Sequence, residues 1–242
     1  MKINVTSRCD QGRVRNENQD CLILDCNHHL YCVSDGMGGL PYGKVTAQIV
    51  SEQMLTYTQL LIDKEIDFDI NNLELMIKKI STSIQQMGNV EGGNTLYGAT
   101  LTGLLINDKK AFVMNVGDSR VYRYKDSKLV QLTKDQSLVQ YWIDKGRFTK
   151  EQVKNHPMRN AILEFMGKAP HINPQIDEIK ISNNEIYCIC SDGLFGMLED
   201  EQIQDILNSN LELEDKCHRL VDMANDAGGK DNISVILVEI KE

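Results

Sequence analysis

Short apolar runs rich in β-branched and aromatic residues constrain the fold of this chain more than any other feature of its sequence. Seven such runs lie at 22–24, 30–33, 101–106, 111–116, 121–124, 186–189 and 233–238. Their length and composition predict β-strands. The polar segments 107–110 and 125–128 are too short for a crossover helix, so they predict antiparallel hairpins.

Three further segments carry apolar residues at the spacing of an amphipathic helix. Their stripes consist of Leu73, Ile77, Ile80, Ile84 and Met87; of Val50, Met54, Tyr57 and Leu61; and of Leu213, Cys217, Leu220 and Ala224. Each stripe predicts a helix that covers a sheet, and Gly228-Gly229 predicts the end of the last one. Strands and helices mixed in this order indicate an α+β domain.

The bulk properties of the chain restrict its organisation and its partners. Its 242 residues, 41% of them hydrophobic, suffice for one core, so 1–242 is expected to form a single domain with a polar insert at 134–170. The formal net charge of −9 argues against nucleic acid as a partner. No apolar stretch approaches the roughly 20 residues of a membrane span, and residues 1–10 lack a secretory signal. We therefore expect a cytoplasmic protein with no membrane partner.

Aspartates stand at the ends of several predicted strands. Asp35, Asp118 and Asp192 each follow a strand beside a glycine, and Asp231 precedes one. A single Asp-Gly pair is usually a turn, but four gathered carboxylates would repel one another without a cation. The glycines after Asp35 and Asp192 would let a carbonyl or a ligand approach without a Cβ in the way. Because the candidate ligands are all oxygens, Mg²⁺ or Mn²⁺ is expected and zinc is disfavoured.

Seven short motifs occur in a fixed order along the chain. They lie at 12–20, 35–39, 98–100, 115–120, 132–135, 191–193 and 229–232. This series resembles the PPM family, the type 2C metal-dependent serine/threonine protein phosphatases, and is most similar to its compact bacterial branch. The resemblance extends from residue 7 to residue 239. It implies a four-layer αββα sandwich of two antiparallel β-sheets flanked by helices.

The resemblance also implies a role for each matching metal ligand. Asp35 would bridge two divalent cations, Mn²⁺ or Mg²⁺, and Gly36 would give its carbonyl oxygen to one of them. Asp192 and Asp231 would hold the other cation. Asp118 would bind a third cation together with Asp192.

The activity implied by the resemblance is hydrolysis of phosphoserine and phosphothreonine by attack of a metal-bridging hydroxide. Arg15 would bind the substrate phosphate, and Asp20 would order a metal-coordinated water. The insert at 134–170 would form a flap that borders the site and influences substrate choice. Phosphorylated proteins, including a serine/threonine kinase and its substrates, are the expected partners of a monomer.

The chain departs from the family pattern at four positions. Met37 replaces a histidine assigned as general acid in animal relatives, so a metal-coordinated water is the preferred proton donor and His156 of the insert the second candidate. Gln19 stands where some relatives have a glutamate, which predicts weaker binding of one cation. Lys44 and Gln136 are interpreted as surface changes.

Three other functions compete with this interpretation. They are a non-catalytic phosphoprotein-binding module, a partner-switching phosphatase acting on an anti-sigma antagonist, and a metal-dependent hydrolase of small phosphoesters. The complete aspartate set and Arg15 favour an active enzyme. The lack of a sensor or kinase-like domain within the 242 residues disfavours partner switching. A comparison of turnover on a phosphothreonine peptide and on small esters distinguishes a protein phosphatase from a hydrolase of small phosphoesters.

Overall fold

The computed structural model describes residues 1–90, 97–154, 156–168 and 170–241. Within these ranges lie ten strands: β1 (Lys2–Asp10), β2 (Asp20–Asp25), β3 (Leu30–Asp35), β4 (Leu101–Asn107), β5 (Lys110–Val116), β6 (Arg120–Lys125), β7 (Lys128–Gln131), β8 (Gln175–Lys180), β9 (Glu185–Cys190) and β10 (Ile233–Lys241). The helices in the same ranges are α1 (Gly43–Asp63), α2 (Ile70–Val90), α3 (Leu138–Asp144), α4 (Lys150–Val153), α5 (Asp192–Phe195), α6 (Asp200–Asn208) and α7 (Leu213–Asp226).

The strands form two five-stranded sheets in which neighbouring strands are antiparallel. The first sheet has the order β1-β10-β9-β6-β7, and the second has the order β2-β3-β4-β5-β8. The hairpins predicted at 107–110 and 125–128 join β4 to β5 and β6 to β7. All seven predicted strands are confirmed, whereas β1, β7 and β8 were not predicted.

Three apolar cores separate four layers. The outer helices α1 and α2 pack on the second sheet through residues such as Val50 and Ile77. On the opposite side, α5, α6 and α7 pack on the first sheet through residues such as Leu220. Between the two sheets lies a core that includes Tyr31 and Tyr187, each almost fully buried. The predicted αββα sandwich is confirmed.

The predicted helical stripes are largely confirmed. Leu73, Ile77, Ile80 and Ile84 of α2 are fully buried, whereas Met87 is 40% exposed, so that stripe is one turn shorter than predicted. The last helix ends at Asp226, and Gly228 and Gly229 follow with positive φ angles of 130° and 50°, which glycine adopts without strain. Within the described residues, no helix combines the length and the hydrophobicity that a membrane span needs.

The segment 134–170 runs from the end of β7 to the start of β8 and contains α3, α4 and several turns. Asn155 and Ala169, which belong to it, lie outside the described residues. A short bridge between Ser137 and Ile162 closes the segment on itself. The predicted short helical pieces are confirmed for the part of the segment that the structure describes.

Candidate metal centre

Strand ends from both sheets bring the four predicted aspartates to one end of the sandwich. Asp35 is the last residue of β3 in the second sheet, and Asp192 is the first residue of α5, directly after β9 of the first sheet. Asp231 lies two residues before β10, and Asp118 lies in the connection from β5 to β6, which crosses from one sheet to the other. Together with Gly36 and Arg15 they line a cleft of about 370 Å³.

Burial and mutual repulsion oppose the ionisation of Asp35, Asp118 and Asp192. Burial, followed by repulsion from Asp20 and Asp192, raises the pKa of Asp35 well above its ordinary value. Burial, followed by repulsion from Asp118 and Asp231, does the same to the pKa of Asp192. Burial raises the pKa of Asp118 to about 7, with a smaller contribution from Asp135. Such a cluster ionises fully only when a cation offsets its charge.

Unsatisfied oxygens at this site fit a bound cation. Oδ1 of Asp192 and Oδ1 of Asp20 are buried and have no hydrogen-bond partner among the described residues. A buried carboxylate oxygen without a partner is costly unless an ion or water binds it. Within the described ranges, no three His, Cys, Asp or Glu side chains are arranged so that they could hold a metal ion by themselves. A divalent ion held here would therefore complete its coordination with carbonyl oxygens and water, as Mg²⁺ commonly does.

Asp20 lies directly opposite Asp35 on the neighbouring strand β2. Its Oδ2 accepts a hydrogen bond of 2.9 Å from Ser191 Oγ. Burial raises the pKa of Asp20 to about 6, despite hydrogen bonds that favour the ionised form. The structure therefore places Asp20 beside the aspartate cluster with one oxygen fixed by the protein and the other unpaired.

Arg15 is positioned at the edge of the cleft. Its Nη2 donates a hydrogen bond of 2.7 Å to Asp231 Oδ2, and 41% of its side chain is exposed. This ion pair, followed by the charges of Asp192 and Asp35, raises the pKa of Arg15. The guanidinium group is therefore held beside the carboxylates while part of its donor fork remains open to solvent.

The glycines beside the aspartates make room for the protein backbone. A Cβ at Gly36 would lie 2.6 Å from the carbonyl oxygen of Gly43 and 2.7 Å from that of Gln19. A Cβ at Gly193 would lie 1.9 Å from the carbonyl oxygen of Asn232. The prediction that the glycines after Asp35 and Asp192 let a carbonyl group approach without a Cβ in the way is thus confirmed, and these contacts allow close packing of the loops that carry the site.

Thr100, the residue before β4, fixes the backbone of Asp35 and contacts the β5–β6 connection. Thr100 Oγ1 accepts a hydrogen bond of 2.9 Å from the backbone N of Asp35 and lies 2.9 Å from Ser119 Oγ. The backbone N of Thr100 donates in turn to the carbonyl oxygen of Asp35 at 2.8 Å. Thr100 and Ser119 belong to motifs that the sequence analysis singled out, but their supporting role requires the three-dimensional arrangement.

Arg120 links the site to the base of the insert, a role that the sequence did not predict. Its Nε and Nη2 donate to Asp135 at 2.8 and 2.6 Å, and its Nη1 donates to Tyr122 at 2.7 Å. Its guanidinium carbon lies 3.7 Å from the ring centroid of Phe195. Arg120 is two residues from Asp118 and thereby joins the β5–β6 connection, α5 and the insert.

Two departures from the family pattern have different structural meanings. Lys44 is exposed at the start of α1, so its interpretation as a surface change is confirmed. Gln136 is not a surface change: its Oε1 accepts a hydrogen bond of 2.8 Å from the backbone N of Gly117, next to Asp118. Its Nε2 also donates to the carbonyl oxygen of Asn173 at 2.9 Å. Gln136 was misjudged because a polar residue in a polar segment gives no sequence signal of its hydrogen bonds to distant parts of the backbone.

The insert contributes Asn160 and Ile162 to the lining of the cleft. His156, in contrast, packs its ring against Trp142 at 5.0 Å and Phe148 at 5.9 Å between centroids. Its Nδ1 accepts a hydrogen bond of 3.1 Å from the backbone N of Met158. The structure thus assigns His156 a packing role within the insert, which disfavours it as a proton donor.

Met37 and Gln19, the remaining departures, both line the cleft. The backbone N of Met37 donates to the carbonyl oxygen of Gly98 at 3.0 Å. Gln19 Nε2 donates to Glu17 Oε1 at 2.7 Å, so the side-chain amide of Gln19 is directed toward Glu17. Weaker binding of a cation beside Gln19 stays a prediction.

Known proteins resemble this chain in sequence and in structure. The family model described as "Protein phosphatase 2C" matches residues 11–237. The chain is 32% identical over 239 residues to the serine/threonine phosphatase stp of Listeria welshimeri, across 96% of this chain and 94% of that protein. The crystal structure of the Mycobacterium tuberculosis serine/threonine phosphatase PstP/Ppp superposes with a TM-score of 0.88 at 30% identity, covering 99% of each chain. The catalytic domain of PstP in complex with two manganese ions superposes with a TM-score of 0.86 at 29% identity, also covering 99% of each chain.

Proposed function

The chain is an enzyme of the protein phosphatase 2C family, and from this premise we propose that it hydrolyses phosphoserine and phosphothreonine on other proteins in a reaction that requires divalent cations. The observation that carries the proposal is the convergence of Asp35, Asp118, Asp192 and Asp231 on one cleft with Arg15 at its edge. A protein with a net charge of −9 binds a phosphate dianion at this cleft only when positive charge compensates for the carboxylates.

The residues that would hold the cations follow from the donor set. Asp35 would bridge two ions, Gly36 would contribute its carbonyl oxygen to one, and Asp192 with Asp231 would hold the other. Asp118 and Asp192 would hold a third. The ions are Mn²⁺ or Mg²⁺, since every donor is a hard oxygen. When bound, such ions activate water as a nucleophile near neutral pH and offset the charge of the phosphoryl group.

Arg15 would bind the phosphoryl oxygens. A guanidinium group presents a planar fork of donors that matches two oxygens of a phosphate, and part of the Arg15 fork is open to solvent. Its hydrogen bond to Asp231 holds it at the edge of the cleft. The scheme needs no nucleophilic side chain, so the thiols of the chain have no part in it.

Asp20 would order water beside the site through its unpaired Oδ1, while Ser191 holds its other oxygen. The contacts of His156 with Trp142 and Phe148 leave coordinated water as the proposed proton source for the leaving group. Residues 134–170 would act as a flap within a single domain, because Asn160 and Ile162 of this segment line the cleft. The partners would be phosphorylated proteins, including a serine/threonine kinase and its substrates, met in the cytoplasm by a monomeric enzyme.

Hydrolysis of a phosphothreonine peptide with and without Mn²⁺ tests the proposal. The intact chain should be active with Mn²⁺, inactive after chelation and active again when Mn²⁺ is restored, whereas Asp192→Asn should lose turnover. Asp215→Asn, the same substitution at an exposed position of α7, is the matched control. Alkylation of thiols should have little effect, so inactivation that tracks one cysteine would contradict the mechanism.

The same assay separates the alternative functions. A binding module would retain the phosphopeptide without turnover, and a hydrolase of small phosphoesters would prefer an aryl phosphate to the peptide. Either result would overturn the proposal. A partner-switching phosphatase shares the chemistry and would be distinguished by strong preference for a single phosphorylated protein over unrelated phosphopeptides.

A further inference from the structure

A loop at residues 11–19, here called the arginine loop, carries Arg15 to the cleft. It has no regular secondary structure, and most of its residues are exposed. A long side chain on such a loop binds a ligand well only when other groups hold the loop in the binding geometry. The position of Arg15 therefore depends on what fastens the backbone of this loop.

Asn232 holds the loop through hydrogen bonds made by both polar atoms of its side chain. Its Nδ2 donates to the carbonyl oxygens of Gln11 and Glu17, each at 2.9 Å. Its Oδ1 accepts a hydrogen bond of 2.9 Å from the backbone N of Gln19. Asn232 is 5% exposed, so these bonds are shielded from water. One amide thus joins both ends of the arginine loop to the residue that precedes β10.

The backbone at Asn232 is itself closely confined. Its N donates to Asp231 Oδ1 at 2.9 Å. A Cβ at Gly12 of the arginine loop would lie 2.2 Å from the carbonyl oxygen of Asp231, and a Cβ at Gly193 would lie 1.9 Å from that of Asn232. Residues 231 and 232 are therefore packed between the arginine loop and the start of α5. The anchor for the loop is fixed by its surroundings.

We propose that Asn232 is a positioning residue that sets the placement of Arg15 for phosphate binding. The inference rests on the proposed function, because it requires Arg15 to bind the phosphoryl group. Asn232 acts by closing the arginine loop and by keeping Arg15 within reach of Asp231, to which it donates at 2.7 Å. Two backbone contacts each hold one point of the loop: the N of Arg13 donates to the carbonyl oxygen of Gly229 at 2.7 Å, and the N of Gly36 donates to that of Gln19 at 3.2 Å. Asn232 differs from them because its one side chain holds both ends of the loop.

A double-mutant cycle tests whether Asn232 acts through Arg15. Arg15→Ala and Asn232→Ala are made singly and together, and kcat and KM are measured on a phosphothreonine peptide at saturating Mn²⁺, with inorganic phosphate as a competitive inhibitor. We expect Asn232→Ala to raise KM and the phosphate inhibition constant about tenfold with little change in kcat. In the Arg15→Ala background the same change should have less than about a twofold effect, since the residue through which it acts is gone.

The controls separate this role from general support of the fold. Asn183→Ala, at the exposed turn before β9, is the matched substitution and should be silent. Asn232→Leu keeps the approximate side-chain shape and adds no charge but loses both donors and the acceptor. It replaces the alanine variant if that variant does not fold, and the same weakening of phosphate binding is expected. Calorimetric titration with Mn²⁺ should give similar affinities for wild type and the Asn232 variants.

Each other outcome overturns the inference in a recognisable way. Equal losses in both backgrounds would mean that Asn232 only supports the fold. Weaker Mn²⁺ binding with unchanged phosphate affinity would mean that it acts on Asp231. If Arg15→Ala itself leaves phosphate affinity unchanged, the role of Arg15 in the proposed function is wrong as well, whereas silent Asn232 variants beside an impaired Arg15→Ala enzyme would remove this inference alone.

Discussion

Asp35 and Arg15 lie in the same cleft, but removal of the two side chains should change the kinetic constants in different ways. Asp35→Ala takes away the proposed bridge between cations, so kcat should fall by roughly several orders of magnitude. Arg15→Ala removes charge-assisted hydrogen bonds worth about 1.5 to 3 kcal/mol each, so kcat/KM should fall about 10- to 150-fold per bond. Much of the second loss should appear in KM. Steady-state kinetics on a phosphothreonine peptide measure both.

Arg219→Ala, an exposed arginine on α7, is the matched control for the loss of a positive charge. An Arg15→Ala enzyme with wild-type kinetics would show that Arg15 is an exposed loop residue without a role in binding. An Asp35→Ala enzyme that keeps substantial kcat would contradict the assigned bridge.

The crowded carboxyl groups also predict how the chelated protein responds to pH. The pKa is raised to about 7 for Asp118 and to about 6 for Asp20, against about 3.9 for aspartate in an unfolded chain. Between those values the folded state binds more protons than the unfolded state, so this contribution to the free energy of unfolding falls as the pH rises from about 4 to about 7. Denaturant unfolding in the presence of a chelator measures it.

Asp118→Asn removes one titrating group of this cluster, because the amide is uncharged throughout the range, and it also removes the repulsion by which Asp118 raises the pKa of Asp192. Relative to wild type, the chelated variant should gain stability as the pH rises from about 4 to about 7. Other groups, such as Asp10 with its lowered pKa, contribute equally to both proteins and cancel in the comparison. A stability difference that does not change with pH would contradict the raised pKa of Asp118.

Residues of the site differ in how far their roles can be predicted from the sequence. Asp35 and Asp192 could be predicted because a strand end beside a glycine is a local pattern. Arg120 and Asn232 stand inside recognised motifs, yet their roles depend on partners far away in the chain, such as Gln11 for Asn232. Gln136 was misjudged for the same reason, since its contact with Gly117 spans 19 residues.

At the scale of elements, the three strands that the sequence did not reveal, β1, β7 and β8, all lie at sheet edges. One side of an edge strand is open, so polar residues stand there at little cost and the apolar pattern is weak. The strand β8 carries exposed Glu178 and Lys180. Central strands such as β9, buried along its whole length, give the strong apolar runs from which strands are predicted.

The insert should affect the recognition of peptides more than the chemistry of phosphate cleavage. Asn160→Ala and Ile162→Ala alter side chains that line the cleft, where a peptide flanking the phosphoresidue would pass. Each should change the preference between phosphopeptides of different sequence by about tenfold. Hydrolysis of a small aryl phosphate, which makes no such contacts, should change much less, and parallel kinetic measurements on the two substrate classes compare them.

Met158→Ala is the control within the same segment, since Met158 is 47% exposed and does not belong to the cleft lining. It should leave both substrate classes unchanged. Equal losses on peptide and aryl phosphate in the cleft variants would show that the insert supports the site structurally and does not select substrates.

At the scale of the whole molecule, the candidate metal centre depends on how the two sheets meet. Asp35 belongs to the second sheet, Asp192 and Asp231 flank strands of the first, and Asp118 lies where the chain crosses between them. The strand order that produces this arrangement places β1 beside β10 and β5 beside β8, pairs that are remote in sequence. Spacing and periodicity predict the layers but cannot predict these long-range pairings.

Because the proposed ligands come from both sheets, cation binding should stabilise the fold as a whole. An ion that binds only the folded state adds about 2.7 kcal/mol at a hundredfold excess over its Kd, which for a chain of this size corresponds to a rise in Tm of about 5 to 10 °C. Thermal unfolding with Mn²⁺ against chelator measures the shift. Asp192→Asn should shrink it, whereas the exposed control Asp215→Asn should retain it. A Tm that does not respond to Mn²⁺ in the wild-type protein would contradict a centre that ties the two sheets together, even if activity required the ion.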